Sequence, residues 1–359
     1  MRPSYLGLRS ESGLLLRLDS LRFLAAVMVV VYHFRNQWIF ASGPGWAVTQ
    51  FGNMTFAVDL FFVISGIVIS CAYEGRLDFG KFLKRRFARL APLHYATLLF
   101  YFLAGFLALA FGYSFWEAEK YRPECVVSNL LFLQAHGLCA GHSFNHVSWS
   151  IGAEMTAYLF FPLFLKLLGI HRSLPALIAF AWIALLGFAE PWLPGTEPWH
   201  KLTFGLGVVR AVPGFLFGMS LWAYRDVLKE LPFADALLLG MLLLFGAGIV
   251  EEAGRGVMLA LTYGLAAVAF AADQAGRERR LPALVAPLAT LTYGIYMLHP
   301  LVRTVGFPVL TGAGFGANAA IVICGLLVLP VAYGSYFWFE NPARVWIANL
   351  SLPRRALAG

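Results

Sequence analysis

Ten runs of mostly apolar residues follow one another along this chain, and they leave few folds open. Their approximate cores are 18–38, 54–73, 90–112, 149–168, 174–189, 206–224, 233–250, 256–272, 283–302 and 317–338. A helix of about 20 apolar residues matches the roughly 30 Å hydrocarbon core of a bilayer. Inside that layer the backbone has no water to bond to, so each run must satisfy its own amides and carbonyls, which a helix does. The expected fold is therefore an all-α integral membrane protein, a bundle of about ten transmembrane helices. Composition agrees: 60% of the residues are apolar and 13% charged, where a soluble domain carries about 25% charged. The net charge of +8 does not point to nucleic acid, because the basic residues sit in short loops between the runs. The first run is followed by no small-residue cleavage site and reads as a retained span rather than a signal peptide.

Basic residues set the expected orientation. With ten spans and a cytoplasmic N-terminus, the larger share of the 27 Lys and Arg falls on the inner side. Both termini are then cytoplasmic, and the loop at 113–148 is outside. That loop holds Cys125 and Cys139, either a disulfide or two free thiols, and is rich in Trp116, Tyr121, His136, His142 and His146, as a glycan-facing or interfacial surface would be. No internal repeat, low-complexity tract or fused soluble domain is visible, so residues 1–359 read as one membrane domain in the lipid bilayer.

Polar residues interrupt these runs at a cost of several kcal/mol apiece, so they are candidates for function. The first run carries Asp19, Arg22 and His33. Arg22 and His33 are about three turns apart and share a face, with His33 roughly 16 Å deeper; Asp19, one turn before Arg22, joins them. The second run carries Asp59 near Ser65 and Gly66, small residues that let helices approach closely. Before the third span, Arg85, Arg86 and Arg89 form a basic cluster in which Arg86 and Arg89 lie on one helical face. Such a cluster anchors a helix on anionic lipid, or grips the phosphates of a cofactor. The fourth run opens with Trp149 and Ser150, then Glu154 and Tyr158 at four-residue spacing. Glu154 is a general acid or base, an orienting partner for His33, or a helix-to-helix hydrogen bond. His299 is a second intramembrane His, in the ninth run.

In this order, these segments resemble the acyltransferase-3 family of multi-pass membrane acyltransferases. Its Arg, ten residues, His motif matches Arg22 and His33. Its "GVDLFFVLSGFL"-like segment matches Ala57-Val-Asp-Leu-Phe-Phe-Val-Ile-Ser-Gly-Ile67, and its Arg-x-x-Arg matches Arg86-Phe-Ala-Arg89. Its "WSLSVEEQFYL"-like segment matches Trp149-Ser-Ile-Gly-Ala-Glu-Met-Thr-Ala-Tyr-Leu159, with Gly152, Met155 and Thr156 as departures that bear on acceptor choice. "SYGIYLLH" matches Thr292 to His299, and a terminal Phe-Glu-x-Pro matches Phe339 to Pro342.

The resemblance implies an O-acyltransferase of the bacterial inner membrane, most often an O-acetyltransferase in polysaccharide modification. The donor would be acetyl-CoA or another acyl-CoA, held by Arg22, Asp19, Arg85, Arg86 and Arg89. The catalytic groups would be His33, Glu154 and Asp59, with His33 as base or as acyl relay and the two acids orienting it or stabilising its charge. Trp149, Ser150, Tyr158 and His299 would bind a glycan or polysaccharide acceptor, with other polysaccharide-assembly proteins as possible partners and no metal. Two further classes use intramembrane His, Glu, Asp and Arg equally well: a proton-coupled transporter and a polysaccharide-export component.

Overall fold

The computed structural model describes residues 4–10, 15–40, 51–112, 120–139, 141–192, 198–276 and 280–350. Trp116, part of the aromatic loop, lies outside the described residues, as do the basic residues Arg2, Arg277, Arg279, Arg354 and Arg355.

Each of the ten apolar cores falls on a helix. These are α1 (Leu16–Phe40), α2 (Ala57–Tyr73), α3 (Phe79–Ala110), α4 (Trp149–Ile170), α5 (Leu174–Ala189), α6 (Gly207–Ala223), α7 (Ala234–Val250), α8 (Arg255–Gln274), α9 (Thr292–Gly312) and α10 (Ala317–Ser335). Among the described residues, seven helical stretches, taken with their flanking turns, are long and apolar enough to cross a membrane: Gly52–Tyr73, Phe79–Ala110, His146–Ile170, Leu174–Trp192, Arg255–Gln274, Arg280–Gly312 and Ala317–Asn349. The helices α6 and α7 are apolar but shorter. The remaining one, α1, is long enough but carries Arg17, Asp19, Arg22 and Arg35.

Three elements differ from the sequence reading. The basic cluster, expected on a helical face just before the third span, is continuous with that span as the first turns of α3, which Asp78 caps by accepting from the Lys81 amide at 3.1 Å. Pro92 sits inside that same helix. The ninth helix runs ten residues past its expected end. The chain also opens with a two-stranded hairpin, β1 (Ser4–Tyr5) and β2 (Leu8–Arg9), a small exception to an all-helical protein. It is tied down by Thr290, which donates to the Arg9 carbonyl at 2.6 Å, and by Tyr333, which donates to Leu6 at 2.9 Å.

The closest helix pair is α2 against α6. Gly66 and Gly218 make it possible: a methyl group on Gly66 would overlap the Phe215 carbonyl, and one on Gly218 would overlap the Val63 carbonyl. The two backbones therefore touch where side chains would normally keep helices apart. α1 lies centrally, packed on α2, α8, α9 and α10. Its first turn is held by Asp273 of α8, which accepts from the Arg17 and Leu18 amides at 2.9 and 3.1 Å. A carboxylate there satisfies amides that a helix start leaves unpaired and complements the helix dipole. Large apolar side chains such as Leu99, Leu103, Phe106, Leu163, Leu177, Leu243 and Leu326 are exposed on outward faces, which suits a protein solvated by lipid.

Candidate active site

Two cavities rich in polar groups flank α1. The first, of about 90 Å³, is lined by Arg22, Arg86, Arg89, Ser65, Ser150, Glu154, Tyr158, Tyr293 and Tyr296 among others. The basic turns of α3 thus meet the start of α1 and the middle of α4 around one space. Arg85 points elsewhere: it is exposed and not part of this lining. Arg86 is flanked by the rings of Tyr73 and Tyr158, at 5.7 and 6.0 Å. Its Nε is buried with no hydrogen-bond partner among the described residues, an arrangement that leaves a donor for an anion. Asp19 lies 3.9 Å from the Arg22 guanidinium and accepts from Ser10 at 2.7 Å.

Glu154 is held in this first cavity, not beside His33. Ser65 donates to its carboxylate at 2.8 Å, and Tyr158 donates to the same oxygen. The four-residue spacing predicted that Glu154 and Tyr158 share a face; the Ser65 contact comes from the close α2 packing.

The second cavity, of about 510 Å³, lies at the His33 end of α1. Its lining includes Tyr32, His33, Thr55, His142, His146, Trp149, Lys201, Thr203, Arg210 and Tyr296. His33 Nδ1 is 3.3 Å from Nε2 of His146. Trp149 belongs to this cavity while its neighbour Ser150 faces the other. His299 lines neither cavity. It is fully buried behind His33, with ring centroids 5.1 Å apart, and its Nδ1 bonds to the Ile295 carbonyl at 3.2 Å.

Asp59 also lies away from His33. It forms a buried pair with Arg210 of α6, at 2.7 and 3.1 Å, and the same guanidinium donates to the Thr55 carbonyl at 3.0 Å and sits 5.3 Å from the Trp149 ring. Arg210 lies within the sixth apolar run, and the sequence reading gave it no role. An Arg within an apolar run, with an acid elsewhere lacking a partner, was the available signal. The same reading grouped His146 with a surface loop and gave Tyr296 no role.

The two cavities share a wall. Val58 and Tyr296 line both. The Tyr296 hydroxyl is fixed there, accepting from Ser150 at 2.7 Å and donating to the Val147 carbonyl at 3.0 Å. Among the described residues there is no cluster of His, Cys, Asp and Glu that could hold a metal ion. Beside the second cavity, Cys125 and Cys139 form a disulfide, one of the two alternatives the sequence left open.

A family model for an acyltransferase domain matches residues 15–337. Among characterised proteins, the chain is 29% identical over 271 residues to acyltransferase MdmB of Streptomyces mycarofaciens, covering 70% of this chain and 63% of that one. It is 29% identical over 181 residues to the O-acetyltransferase OatA of Staphylococcus aureus, covering 44% of this chain and 26% of the relative. It is 40% identical over 86 residues to protein 2 in the picA locus of Rhizobium radiobacter, covering 23% and 40%. The chain thus spans less than two thirds of the length of each of these relatives. No solved structure matches it. The match extends from the start of α1 into the end of α10 and takes in every polar group of both cavities, so the chain belongs to the acyltransferase-3 family and is a multi-pass membrane protein.

Proposed function

We propose that this protein is a membrane O-acyltransferase that moves an acyl group, acetyl foremost, from cytosolic acyl-CoA to a hydroxyl of an extracytoplasmic glycan or polysaccharide. The observation that carries the reading is the pair of cavities back to back. One is lined by three Arg and a Glu, the other by His33, and they meet at Tyr296 and Val58. A donor with phosphates at one end and a thioester at the other matches that layout.

In this reading the Arg-lined cavity is cytoplasmic. Arg86 and Arg89 hold coenzyme phosphates, and Arg22, steadied by Asp19, holds the approach to the thioester. The thioester carbonyl reaches the Tyr296 wall. An acceptor hydroxyl enters the second cavity, with Trp149 as a stacking face for a sugar ring. His33 takes the hydroxyl proton as the new O–C bond forms. The C–S bond then breaks, and the proton passes from His33 to the departing thiolate. Glu154 stays with Ser65 and Tyr158 on the donor side, and Asp59 serves the outer cavity by fixing Arg210. The membrane is the bacterial inner membrane, with both termini cytoplasmic.

Two measurements test this. Acetyl-CoA binding by the purified protein is expected to be lost in the Arg86→Ala/Arg89→Ala double variant. In cells, one acyl group is expected to vanish from surface or secreted glycans, by mass spectrometry, in both the null strain and His33→Ala with the variant protein still in the membrane. A transporter or export component predicts neither result.

A further inference from the structure

We propose that His146 and Lys120 complete the base: together with His33 they form a three-group proton relay that decides which His33 nitrogen carries hydrogen. The proposal rests on the reading of His33 as the base. The three groups are in line. Lys120 Nζ is 3.3 Å from His146 Nδ1, and His146 Nε2 is 3.3 Å from His33 Nδ1. The rings of His146 and His33 stand edge to face, at 4.8 Å and 75°.

The local fold fixes this line. The Phe144 amide donates to the Lys120 carbonyl at 2.7 Å, which holds the two strands of the loop together near His146. Asn145 donates to the Met297 carbonyl of α9 at 2.9 Å, and Arg303 of α9 donates to the His33 carbonyl at 2.9 Å. α9 therefore holds the backbone of His33 and the residue next to His146 from one side. His146 is only 7% exposed. Among the described residues, the charged or titratable groups around the pair are His299 and Arg303 from α9, Tyr32 and Arg35 from α1, and Lys120 and His142 from the loop.

Donor and acceptor rules then link the three groups. An ammonium only donates, and a neutral imidazole has one N–H and one bare nitrogen. With Lys120 charged, His146 accepts at Nδ1 and carries its hydrogen on Nε2. It donates to His33 Nδ1, so His33 carries hydrogen on Nε2. That nitrogen, the one not engaged by His146, then has no lone pair for an acceptor hydroxyl. When the relay loses one proton from His33 Nε2 to water in the cavity, each remaining hydrogen moves one place: from His146 Nε2 to His33 Nδ1, and from Lys120 to His146 Nδ1. Lys120 becomes a neutral amine and His33 Nε2 is bare. Taking a hydroxyl proton at Nε2 reverses the shift and stores the charge on Lys120. His146 and Lys120 are positioning residues, because they act only through His33.

The relay makes an unusual demand: the charge-preserving substitution is the harmful one. A guanidinium does not discharge in the working range of pH, so Lys120→Arg locks His33 with hydrogen on Nε2. In Lys120→Gln, the amide oxygen can accept from His146 Nδ1 and leaves Nε2 bare. The test uses the full chain, labelled with ¹⁵N-histidine, in lipid nanodiscs, with His33 assigned by comparison with His33→Gln. Over about pH 5 to 10, wild-type His33 is expected to change from Nε2–H to Nδ1–H. Lys120→Arg is expected to keep Nε2–H throughout, with glycan acylation in cells reduced roughly 100-fold or more. Lys120→Gln is expected to keep Nδ1–H and to retain more activity than Lys120→Arg. Unchanged acetyl-CoA binding in each variant confirms folding. A single His33 tautomer at every pH in the wild type, or wild-type acylation in Lys120→Arg, overturns the relay. If the tautomer changes are as described but His33→Ala cells keep every acyl group, the relay stands and the assignment of His33 as base fails.

Discussion

At the scale of single residues, the electrostatics of this protein are decided by pairing. Asp59 and Arg210 are both almost wholly inaccessible and each is the main charge partner of the other. Removing one charge leaves the other stranded in a medium that solvates it poorly, at a cost of about 3–5 kcal/mol, whereas removing both can be close to neutral. Asp59→Asn is expected to lower the unfolding temperature of the detergent-solubilised protein sharply, and Asp59→Leu/Arg210→Met to recover most of the loss. Equal losses in the two variants would mean that the pair contributes by packing rather than by charge.

His200 provides a pH prediction. It lies outside the spanning helices, stacked on Phe56 with ring centroids 5.6 Å apart. Burial, and then the nearby Arg210, Lys201 and Arg255 charges, push its pKa from the ordinary 6.5 down to about 4. At pH 7 the ring is neutral in both folded and unfolded chains. Between about 6.5 and 4 the unfolded chain takes up a proton that the folded one refuses, so stability falls with falling pH. Hydrogen exchange of the 198–206 segment is expected to quicken over that interval, and the effect to disappear in His200→Gln.

At the scale of elements, the α2–α6 crossing is the least forgiving contact. Gly66 and Gly218 face each other's backbones, so relief would require the helices to separate. Separation would also draw Ser65 away from Glu154 and Asp59 away from Arg210, since each of these contacts leaves α2 for another helix. Gly66→Ala is expected to destabilise by about 1–3 kcal/mol, the usual range for overpacking, and Gly66→Leu to abolish insertion of a folded protein. By contrast Gly240→Ala in α7, where no atom lies within 4 Å of the added methyl, is expected to be tolerated. Thermal melts of Gly66→Ala and Gly240→Ala, and the yield of folded Gly66→Leu from the membrane, check the order.

At the scale of the whole molecule, α1 connects everything. Its start is held by Asp273 of α8, its Arg22 faces the first cavity, and its His33 faces the second. Lys120 on one side, and His142 and His146 on the other, flank the segment closed by the bridge between Cys125 and Cys139, fourteen residues apart. Closing a loop of that size stabilises by roughly 3 kcal/mol. Cys125→Ser/Cys139→Ser is expected to leave acetyl-CoA binding intact and to reduce acyl transfer, because the residues flanking the bridged segment, His142 and His146, line the His33 cavity. A loss of both would mean that the disulfide supports the bundle as a whole.

What is local or periodic could be read from the order of the residues. The length of each apolar run settled the helices, since nothing else satisfies so much backbone in lipid. The three-turn spacing of Arg22 and His33 placed them at opposite ends of one stripe. The four-residue spacing of Glu154 and Tyr158 brought them into contact. Tertiary structure alone decided which helix stands opposite each polar group. Asp59 could have met His33 or any Arg, and it meets Arg210 because two glycines draw α2 onto α6. Glu154 joins the Arg-lined cavity because Ser65 arrives with that same approach. His146 becomes the neighbour of His33 because α9 and a folded-back loop hold it there. A charge within an apolar run announces that it needs a partner, but helices in lipid present many equally apolar faces, and only the packing of their backbones selects the one that supplies it.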